Sequence, residues 1–410
     1  MSNLDSTSLY QAEEKRHFRH DIQGLRALAV ILVILAHAKV PHIAGGYIGV
    51  DVFFVISGFV ITELLLRSSD DNVVTIRQKA SSVLVAMGRF YGRRVRRIMP
   101  AATLVMLGTV LASYHYLGPY TSIPLLDDIR WASTFRANFH FITVGMDYFS
   151  QGLPPSLITH FWSLAVEEQF YFVFPLLLLG VGAIVGLRRH RVFLSAILTI
   201  VVVWSAYESH VLTTGSPYAY YSPKTRFWEI GFGALLAALP LTLRQIPVAA
   251  AAVVSWISIA VIAFAAWNLT DTSLVPGTLT WLACAPTGLL LFFGGAATPW
   301  SANGVLARQP FRYVGDVSYS LYLFHWVWLN LPLQYAQIKY GVMTSLSPAA
   351  RVEQVAAAFV CAVVSYHFFE NPIRRSKWLD RHGWVTAILA GVMVGLVWLT
   401  AYLLQTYWTS

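Results

Sequence analysis

Long uncharged stretches separate short polar segments along most of the chain. Six of these stretches contain no Asp, Glu, Lys or Arg: residues 98–126, 169–187, 245–270, 272–307, 317–338 and 383–410. A helix needs roughly 20 apolar residues to cross the hydrocarbon core of a bilayer. Apolar and polar residues do not alternate here, as they would in the strands of a membrane β-barrel. The pattern therefore predicts an all-α, polytopic membrane protein.

Hydropathy and the positions of the charges together predict eleven spanning helices: residues 24–41, 48–66, 99–117, 162–186, 192–208, 227–241, 247–267, 278–297, 317–336, 353–369 and 383–405. With the N-terminus in the cytoplasm, the cytoplasmic segments hold 22 of the 29 Lys and Arg residues. Lys and Arg concentrate on the cytoplasmic side of membrane proteins. We therefore expect a cytoplasmic segment at residues 1–23, a transmembrane domain at residues 24–405 and an extracytoplasmic C-terminus.

Composition agrees with a membrane protein and excludes other classes. Of the 410 residues, 56% are hydrophobic and 12% are charged, whereas soluble domains carry roughly 25% charged residues. The first 26 residues are polar and charged, so we predict no cleavable signal peptide. Cys284 and Cys361 both lie in apolar segments, which excludes a disulfide framework and a cysteine metal site. We predict no metal cofactor.

Two predicted loops are long enough to form structure of their own. The cytoplasmic loop, residues 67–98, ends in a basic run and is predicted to form a short amphipathic helix at the membrane surface. The outer loop, residues 118–161, is expected to form an ordered cover. Its aromatic side chains either stack on sugar rings or belong to an interfacial belt: Trp131, Phe139, Phe141 and Tyr148.

The first predicted helix contains an arginine and a histidine on one face. Arg26 and His37 are eleven positions apart, which is almost three whole turns and a rise of about 16 Å. Ionisable groups inside spanning helices are costly and mark candidate functional sites. The alternative interpretations are a cytoplasmic charge anchor for Arg26 and an interfacial polar residue for His37.

The second predicted helix carries an acidic residue at its outer end. Asp51 lies near His37 in depth, and glycines at positions 45, 46 and 49 permit close approach of the two helices. Asp51 is either a partner of His37 or a charge that is favoured at a helix N-terminus.

The fourth predicted helix carries two adjacent carboxylates, Glu167 and Glu168, about two turns from its outer end. Helical spacing puts Glu167 on the stripe of His160 and Tyr171, and Glu168 on a more apolar face. We expect Glu167 to support His37 as a general base. We expect contacts with the acceptor substrate from three residues of this segment: His160, Trp162 and Tyr171. His325, in the ninth helix, is interpreted as a buried core histidine.

The basic run presents arginine pairs at i,i+3 spacing: Arg93, Arg94, Arg96 and Arg97. Such pairs share a helix face and offer planar forks to phosphate. The alternative is an anchor for lipid headgroups. No nucleic-acid-binding module surrounds the run, so nucleic acid is not an expected partner. No nucleotide-binding loop or metalloprotease motif occurs in a suitable context.

Seven sequence motifs follow one another in a characteristic order between residues 20 and 375. They are Arg26 with His37, GGYIGVDVFFVISGF, the Arg-x-x-Arg run, HFWSLAVEEQFY, KTRFWEIGFGALLA, VGDVSYSLYLFHW and FENPIRR. In this order the chain resembles the acyltransferase 3 family of bacterial integral-membrane O-acyltransferases.

The resemblance implies transfer of an acyl group, usually acetyl from acetyl-CoA, to a hydroxyl of a cell-envelope glycan or glycolipid. It implies a multi-pass protein of the bacterial cytoplasmic (inner) membrane. The family's histidine falls on His37, its arginine on Arg26 and its glutamate on Glu167. Its arginine pair falls on Arg93/Arg96 or on Arg94/Arg97.

The residues of the second motif, GGYIGVDVFFVISGF, look most like those of a family branch that often carries an extracytoplasmic SGNH esterase-like domain. We expect no SGNH domain in this chain. A separate SGNH-type transferase is a candidate partner, and membrane lipid is another.

These features favour a cytoplasmic donor site, in which Arg26 and the basic run hold the CoA phosphates, and an outer acceptor site at His37. His37 would act as a general base or as a transient acyl carrier. The competing hypotheses are a transporter or flippase with a buried His/Asp/Glu proton relay and an enzyme with a cytoplasmic acceptor. The absence of internal repeats argues against a transporter.

Overall fold

The computed structural model describes residues 19–70, 79–145, 148, 155–185, 190–214, 216–239, 247–296, 298–341 and 345–409. Residues 1–18 of the predicted N-terminal segment lie outside this set. Regular structure within the set is helical and includes no strand, which confirms the all-α prediction. The α-helices are α1 His20–His37, α2 Gly49–Asp70, α3 Lys79–Leu117, α4 Pro119–Ser133, α5 Ala137–Thr143, α6 Phe161–Val185, α7 His190–Thr213, α8 Pro223–Ala238, α9 Val248–Asn268, α10 Trp281–Phe293, α11 Ala302–Leu306, α12 Phe311–Tyr340, α13 Pro348–Ser365, α14 Asn371–Arg374, α15 Lys377–Arg381 and α16 Gly383–Thr409.

Eight helical segments of the described chain are long and apolar enough to cross a membrane: His20–His37, Ala44–Leu66, Met87–Leu117, Phe161–Val181, His190–Thr213, Val248–Asn268, Pro348–Arg381 and Gly383–Trp408. The chain is therefore a multi-pass membrane protein. The total of eleven spans and the sidedness of the termini stay predictions. Helix α1 begins at His20 and ends at His37, so it lies nearer the N-terminus than the predicted span at 24–41.

The basic run belongs to a long helix and not to a separate surface helix. Helix α3 is continuous from Lys79 to Leu117 and passes through Pro100, so the prediction of two elements is wrong. A proline inside a membrane helix is tolerated where neighbouring helices satisfy the backbone around it. Helix α12 packs beside this proline, where the Tyr319 hydroxyl donates to the Ile98 carbonyl at 2.8 Å.

In its described residues, 118–145, 148 and 155–161, the predicted outer loop is largely helical, and part of it reaches deep into the bundle. Helices α4 and α5 form a hairpin whose turn contacts α6: the Gln169 amide donates to the Phe135 carbonyl at 2.9 Å and to Asn138 Oδ1 at 2.8 Å. Gln169 lies about two turns into α6. Arg136, which was counted among the outer charges, stacks over Trp131 in this hairpin at 4.7 Å.

Glycines bring the central helices into close contact. A Cβ atom at Gly58 of α2 would lie 1.8 Å from the Ile230 carbonyl oxygen, and one at Gly233 of α8 would lie 2.0 Å from the Val55 oxygen. The predicted close approach before α2 is confirmed, because a Cβ at Gly46 would lie 2.2 Å from the Leu32 oxygen of α1. Small residues at such crossings let backbones pack directly.

We expect Gly58→Ala to destabilise the protein by about 1–3 kcal/mol, the usual cost of overpacking. The added methyl group has no space between α2 and α8. Thermal unfolding of the detergent-solubilised protein measures the effect. Gly108→Ala is the matched control, since a Cβ there meets no atom within 4 Å. Equal unfolding midpoints for the two variants would contradict the close crossing.

Candidate active site

Two groups of functional side chains lie at opposite ends of α1. We call the end of the bundle around His37 and His325 the histidine end, and the end around Arg93 and Arg97 the basic end. Arg26 lies on α1 between them, eleven residues before His37, a distance of about 16 Å along the helix. One helix therefore connects the two groups.

At the histidine end, His37 contacts a histidine from α12 and a tyrosine. His37 Nδ1 lies 2.9 Å from His325 Nε2, and the two rings are nearly parallel, with an interplanar angle of 4°. His37 Nε2 lies 2.8 Å from the Tyr148 hydroxyl. The Trp326 ring packs edge-on against His37 at 4.6 Å. Sequence reasoning treated His325 as a core histidine and missed this contact.

The hydrogen bonds determine which histidine of the pair donates and which accepts. His325 Nδ1 lies 2.6 Å from the Tyr322 carbonyl, and a carbonyl only accepts, so Nδ1 carries the proton. In neutral rings His325 Nε2 then accepts from His37 Nδ1, which leaves the lone pair of His37 on Nε2. Burial raises the pKa of the Tyr148 hydroxyl, so the tyrosine stays protonated and donates to this lone pair.

The structure contradicts the predicted partners of His37. Glu167 Oε1 accepts from Ser57 at 2.7 Å and from Tyr171 at 2.8 Å, and it lies 4.0 Å from Arg94. The physical reason is depth, because Glu167 is six residues, or about 9 Å, into α6 from its start at Phe161. Its side chain therefore belongs with the groups toward the basic end.

Glu168 and His160 also differ from their predicted settings. Glu168, assigned to an apolar face, pairs with Arg94 at 2.5 Å. His160 Nε2 donates to the Leu323 carbonyl at 3.0 Å, and the His160 ring centroid lies 5.8 Å from that of His325. His160 Nδ1 is buried and has no hydrogen-bond partner in the described part of the chain. His160 thus lies at the histidine end, and its contact with the acceptor stays a prediction.

Asp51 pairs with an arginine that the sequence interpretation did not assign. Arg226 Nη1 donates to Asp51 at 2.7 Å and to Glu229 at 2.9 Å, and all three side chains are at most 4% exposed. Arg226 and Glu229 lie at i,i+3 spacing inside an apolar helix, which was a signal of a paired site. Asp51 therefore binds α2 to α8 and does not contact His37.

This ion cluster also positions the aromatic side chains that pack around Tyr148. Arg226 Nε donates to the Tyr220 carbonyl at 3.1 Å. The Tyr220 ring stacks on Tyr148 with centroids 4.2 Å apart, and Trp162 lies 4.9 Å from Tyr220. Trp162 thus lies beside these aromatic residues, and its contact with the acceptor stays a prediction. Among the other aromatic residues considered for sugar stacking, Trp131 instead stacks on His140, which pairs with Asp128 at 2.9 Å.

At the basic end, a cavity of about 520 Å³ lies between α3 and the α14–α15 segment. Its lining is mainly cationic and consists of Arg93, Arg94, Arg96, Arg97, Arg374, Arg375, Lys377, Arg381, Asp380, Ser376, Ile61, Leu64 and Phe90. The sequence identified the four arginines of α3 but did not assign the four cations that follow Pro372 to this site. The sequence did contain a signal for them, because these four cations lie within eight residues of each other.

The four arginines of α3 have different surroundings. Arg94 stacks over Tyr171 at 3.5 Å and pairs with Glu168. Arg96 is buried and donates to Asp380 at 2.6 Å and to the Leu379 carbonyl at 3.2 Å. Arg97 is partly buried and lies close enough to repel Arg26 electrostatically. In each predicted register, Arg93/Arg96 and Arg94/Arg97, one arginine pairs with a carboxylate. The other arginine, Arg93 or Arg97, has no hydrogen-bond or ion-pair partner among the described residues.

Metal ligation finds no support in the described ranges, where no group of three His, Cys, Asp or Glu side chains is arranged to hold a metal ion.

A family model described as an acyltransferase domain matches residues 19–366, which include the histidine end and the α3 side of the basic end. The chain belongs to the acyltransferase 3 family. It is 28% identical to the "Peptidoglycan O-acetyltransferase OatA" of Listeria monocytogenes over 89% of this chain and 57% of the relative. It is 29% identical to the "Putative peptidoglycan O-acetyltransferase YrhL" of Bacillus subtilis, covering 89% and 56%. The Staphylococcus aureus "O-acetyltransferase OatA" is 29% identical, with 86% and 57% covered.

The chain thus spans somewhat more than half the length of these relatives. No solved structure matches it.

We expect Arg226→Met to cost about 3–5 kcal/mol of stability, because it leaves two buried carboxyl groups without their cation. Lys39→Met is the control, since Lys39 pairs with Asp271 at 3.0 Å but its side chain is 66% exposed. Exposed pairs contribute about 0–1 kcal/mol. Thermal unfolding in detergent compares the variants. A loss in Arg226→Met no larger than in the control would show that the buried cluster does not hold α2 against α8.

Proposed function

We propose that the protein transfers an acetyl group from cytoplasmic acetyl-CoA to a hydroxyl of an extracytoplasmic cell-wall glycan, across the bacterial cytoplasmic membrane. The hydrogen-bond chain that ends at His37 Nε2 carries this proposal. The names of the relatives, which are O-acetyltransferases of Listeria monocytogenes and Staphylococcus aureus, support the acetyl group and the glycan.

His37 is the general base in this proposal. Its Nε2 lone pair faces a hydroxyl, that of Tyr148, at 2.8 Å, which marks where an acceptor hydroxyl would be activated. Nε2 takes the acceptor proton while the acceptor oxygen forms a bond to the thioester carbonyl carbon. The carbon–sulfur bond then breaks, and the imidazolium returns its proton to the CoA sulfur.

His325 positions and stabilises this base. The proton on its Nδ1 is held by the Tyr322 carbonyl, so its Nε2 accepts from His37 Nδ1 and keeps His37 in the tautomer with a free Nε2. The same hydrogen bond stabilises the imidazolium when the acceptor proton arrives. In this role His325 replaces the carboxylate partner that the sequence predicted.

The cation-lined cavity at the basic end supports a polyanionic donor. Arg97 and Arg26 continue the positive charge from this cavity into α1. A pantetheine arm that follows α1 from Arg26 toward His37 would span about 16 Å. The phosphates and the thioester of acetyl-CoA are separated by an arm of this order, so one donor molecule can reach from the basic end to His37.

We expect His37→Ala to abolish O-acetylation, since general base catalysis contributes about 10²–10⁴-fold. His42→Ala is the matched control, because His42 is exposed at the same end and stacks on Trp267. Mass spectrometry of envelope glycans from cells that express each variant gives the readout. Normal O-acetylation by correctly inserted His37→Ala protein would remove His37 from the mechanism. A flippase would leave no acetyl product in either case.

We expect His325→Ala to lower kcat by about 10²-fold while the KM for acetyl-CoA stays unchanged, because only the tautomer and charge of His37 are affected. His325→Gln should recover part of the rate, since the amide oxygen can accept from His37 Nδ1. Steady-state kinetics with acetyl-CoA and a glycan fragment make the comparison. Equal rates for the alanine and glutamine variants would mean that His325 acts through packing alone.

A further inference from the structure

The cavity at the basic end contains more positive charge than the protein neutralises. Three of its eight cations lie beside carboxylates, at 2.5 Å for Arg94–Glu168, 2.6 Å for Arg96–Asp380 and 3.7 Å for Arg374–Glu370. The other five have no hydrogen-bond or ion-pair partner in the described ranges: Arg93, Arg97, Arg375, Lys377 and Arg381. Like charges around one cavity repel each other, so this site favours a ligand with several negative charges.

These five cations lie on two separate walls of the cavity. Arg93 and Arg97 are four residues apart on α3 and share a helix face. Lys377 and Arg381 are four residues apart on α15, and Arg375 lies two residues before Lys377, next to the N-cap residue Ser376. The cavity therefore offers two cation groups, which match a ligand that carries anionic groups in two places.

A buried arginine holds the second wall in place. Arg96 is 3% exposed and donates to the Asp380 carboxylate and to the Leu379 carbonyl, both in α15. The Ser376 hydroxyl accepts from the Leu379 amide and caps the same helix. These contacts fix α15 against α3 while its cations stay exposed at the cavity, as expected of a preformed binding surface.

Coenzyme A carries its anionic groups in two places, a diphosphate that continues into the pantetheine arm and a phosphate monoester at the ribose 3′ position. The arm has to leave toward Arg26 and α1, and Arg97 is the wall residue close to Arg26. The diphosphate therefore belongs on the α3 wall. We propose that the α14–α15 wall, formed by Arg375, Lys377 and Arg381, is a subsite for the 3′-phosphate of CoA. This inference rests on the donor proposed above.

The test compares binding of CoA and 3′-dephospho-CoA to the full chain in detergent at low ionic strength, where screening is weak. We expect the unmodified protein to bind CoA about 10- to 100-fold more tightly, as charge-assisted hydrogen bonds to one phosphate allow. In the triple variant Arg375→Gln, Lys377→Gln, Arg381→Gln, CoA affinity should fall to that of dephospho-CoA. Affinity for dephospho-CoA should stay unchanged, and so should the unfolding midpoint, because all three side chains are exposed.

A double variant of the other wall, Arg93→Gln with Arg97→Gln, separates a local subsite from a general loss of positive charge. It should weaken both ligands and preserve the preference for CoA. Equal binding of the two ligands by the unmodified protein, or a preference that survives in the triple variant, would overturn the subsite and leave CoA as the donor. Binding of neither ligand would overturn the proposed donor together with the subsite.

Discussion

A polar side chain inside a membrane bundle needs a partner from another helix, because neither lipid nor bulk water is there to solvate it. Arg226 meets this requirement with Asp51 from α2 and Glu229 from its own helix. Removing such groups from water is expensive, and close hydrogen bonds compensate only where the geometry is good. The same requirement joins distant parts of the chain throughout the structure. Polar pairs are therefore what specifies which helices are neighbours, while lipid-facing apolar residues do not distinguish one neighbour from another.

The site arises from these pairings. The Asp51–Arg226 pair holds the turn at Tyr220, Tyr220 stacks on Tyr148, and Tyr148 donates to His37. At the other end, Arg96 holds α15 and its cations against α3. Groups that maintain the fold and groups proposed to act on substrates are thus in contact, so a change in one set propagates to the other.

The sequence was sufficient to predict an all-α membrane protein but not which helices are partners. Uncharged runs of about 20 residues identify spanning helices because the bilayer sets their length. His37 and His325 are 288 positions apart, and helical periodicity carries no information on such contacts. The same applies to Arg96 and Asp380, which are 284 positions apart.

Errors in the predicted elements also have physical causes. The basic run was predicted to lie in a separate surface helix, but α3 continues from it through Pro100 and packs against α12, where Tyr319 donates to the Ile98 carbonyl. The segment after Leu117 was predicted to be an outer loop that forms an ordered cover. In the described part of this segment, Arg130 instead donates to Gln405 of α16 at 2.7 Å, with its side chain 15% exposed. Hydropathy alone cannot distinguish a polar segment in water from a polar segment that is satisfied by its neighbours.

Helix α1 gives the proposed reaction its geometry. The donor charges lie at the basic end and the base at the histidine end, so the distance between them is set by the rise of one helix, about 1.5 Å per residue. Ala29 and Leu32 of α1 are packed so closely against Gly49 and Gly46 that no side chain fits between the backbones. Such direct backbone contact opposes a shift of α1 along its axis. A donor of fixed length then reaches His37 only when its phosphates are at the basic end, and shorter thioesters without those phosphates lack the binding energy that positions the reacting carbonyl.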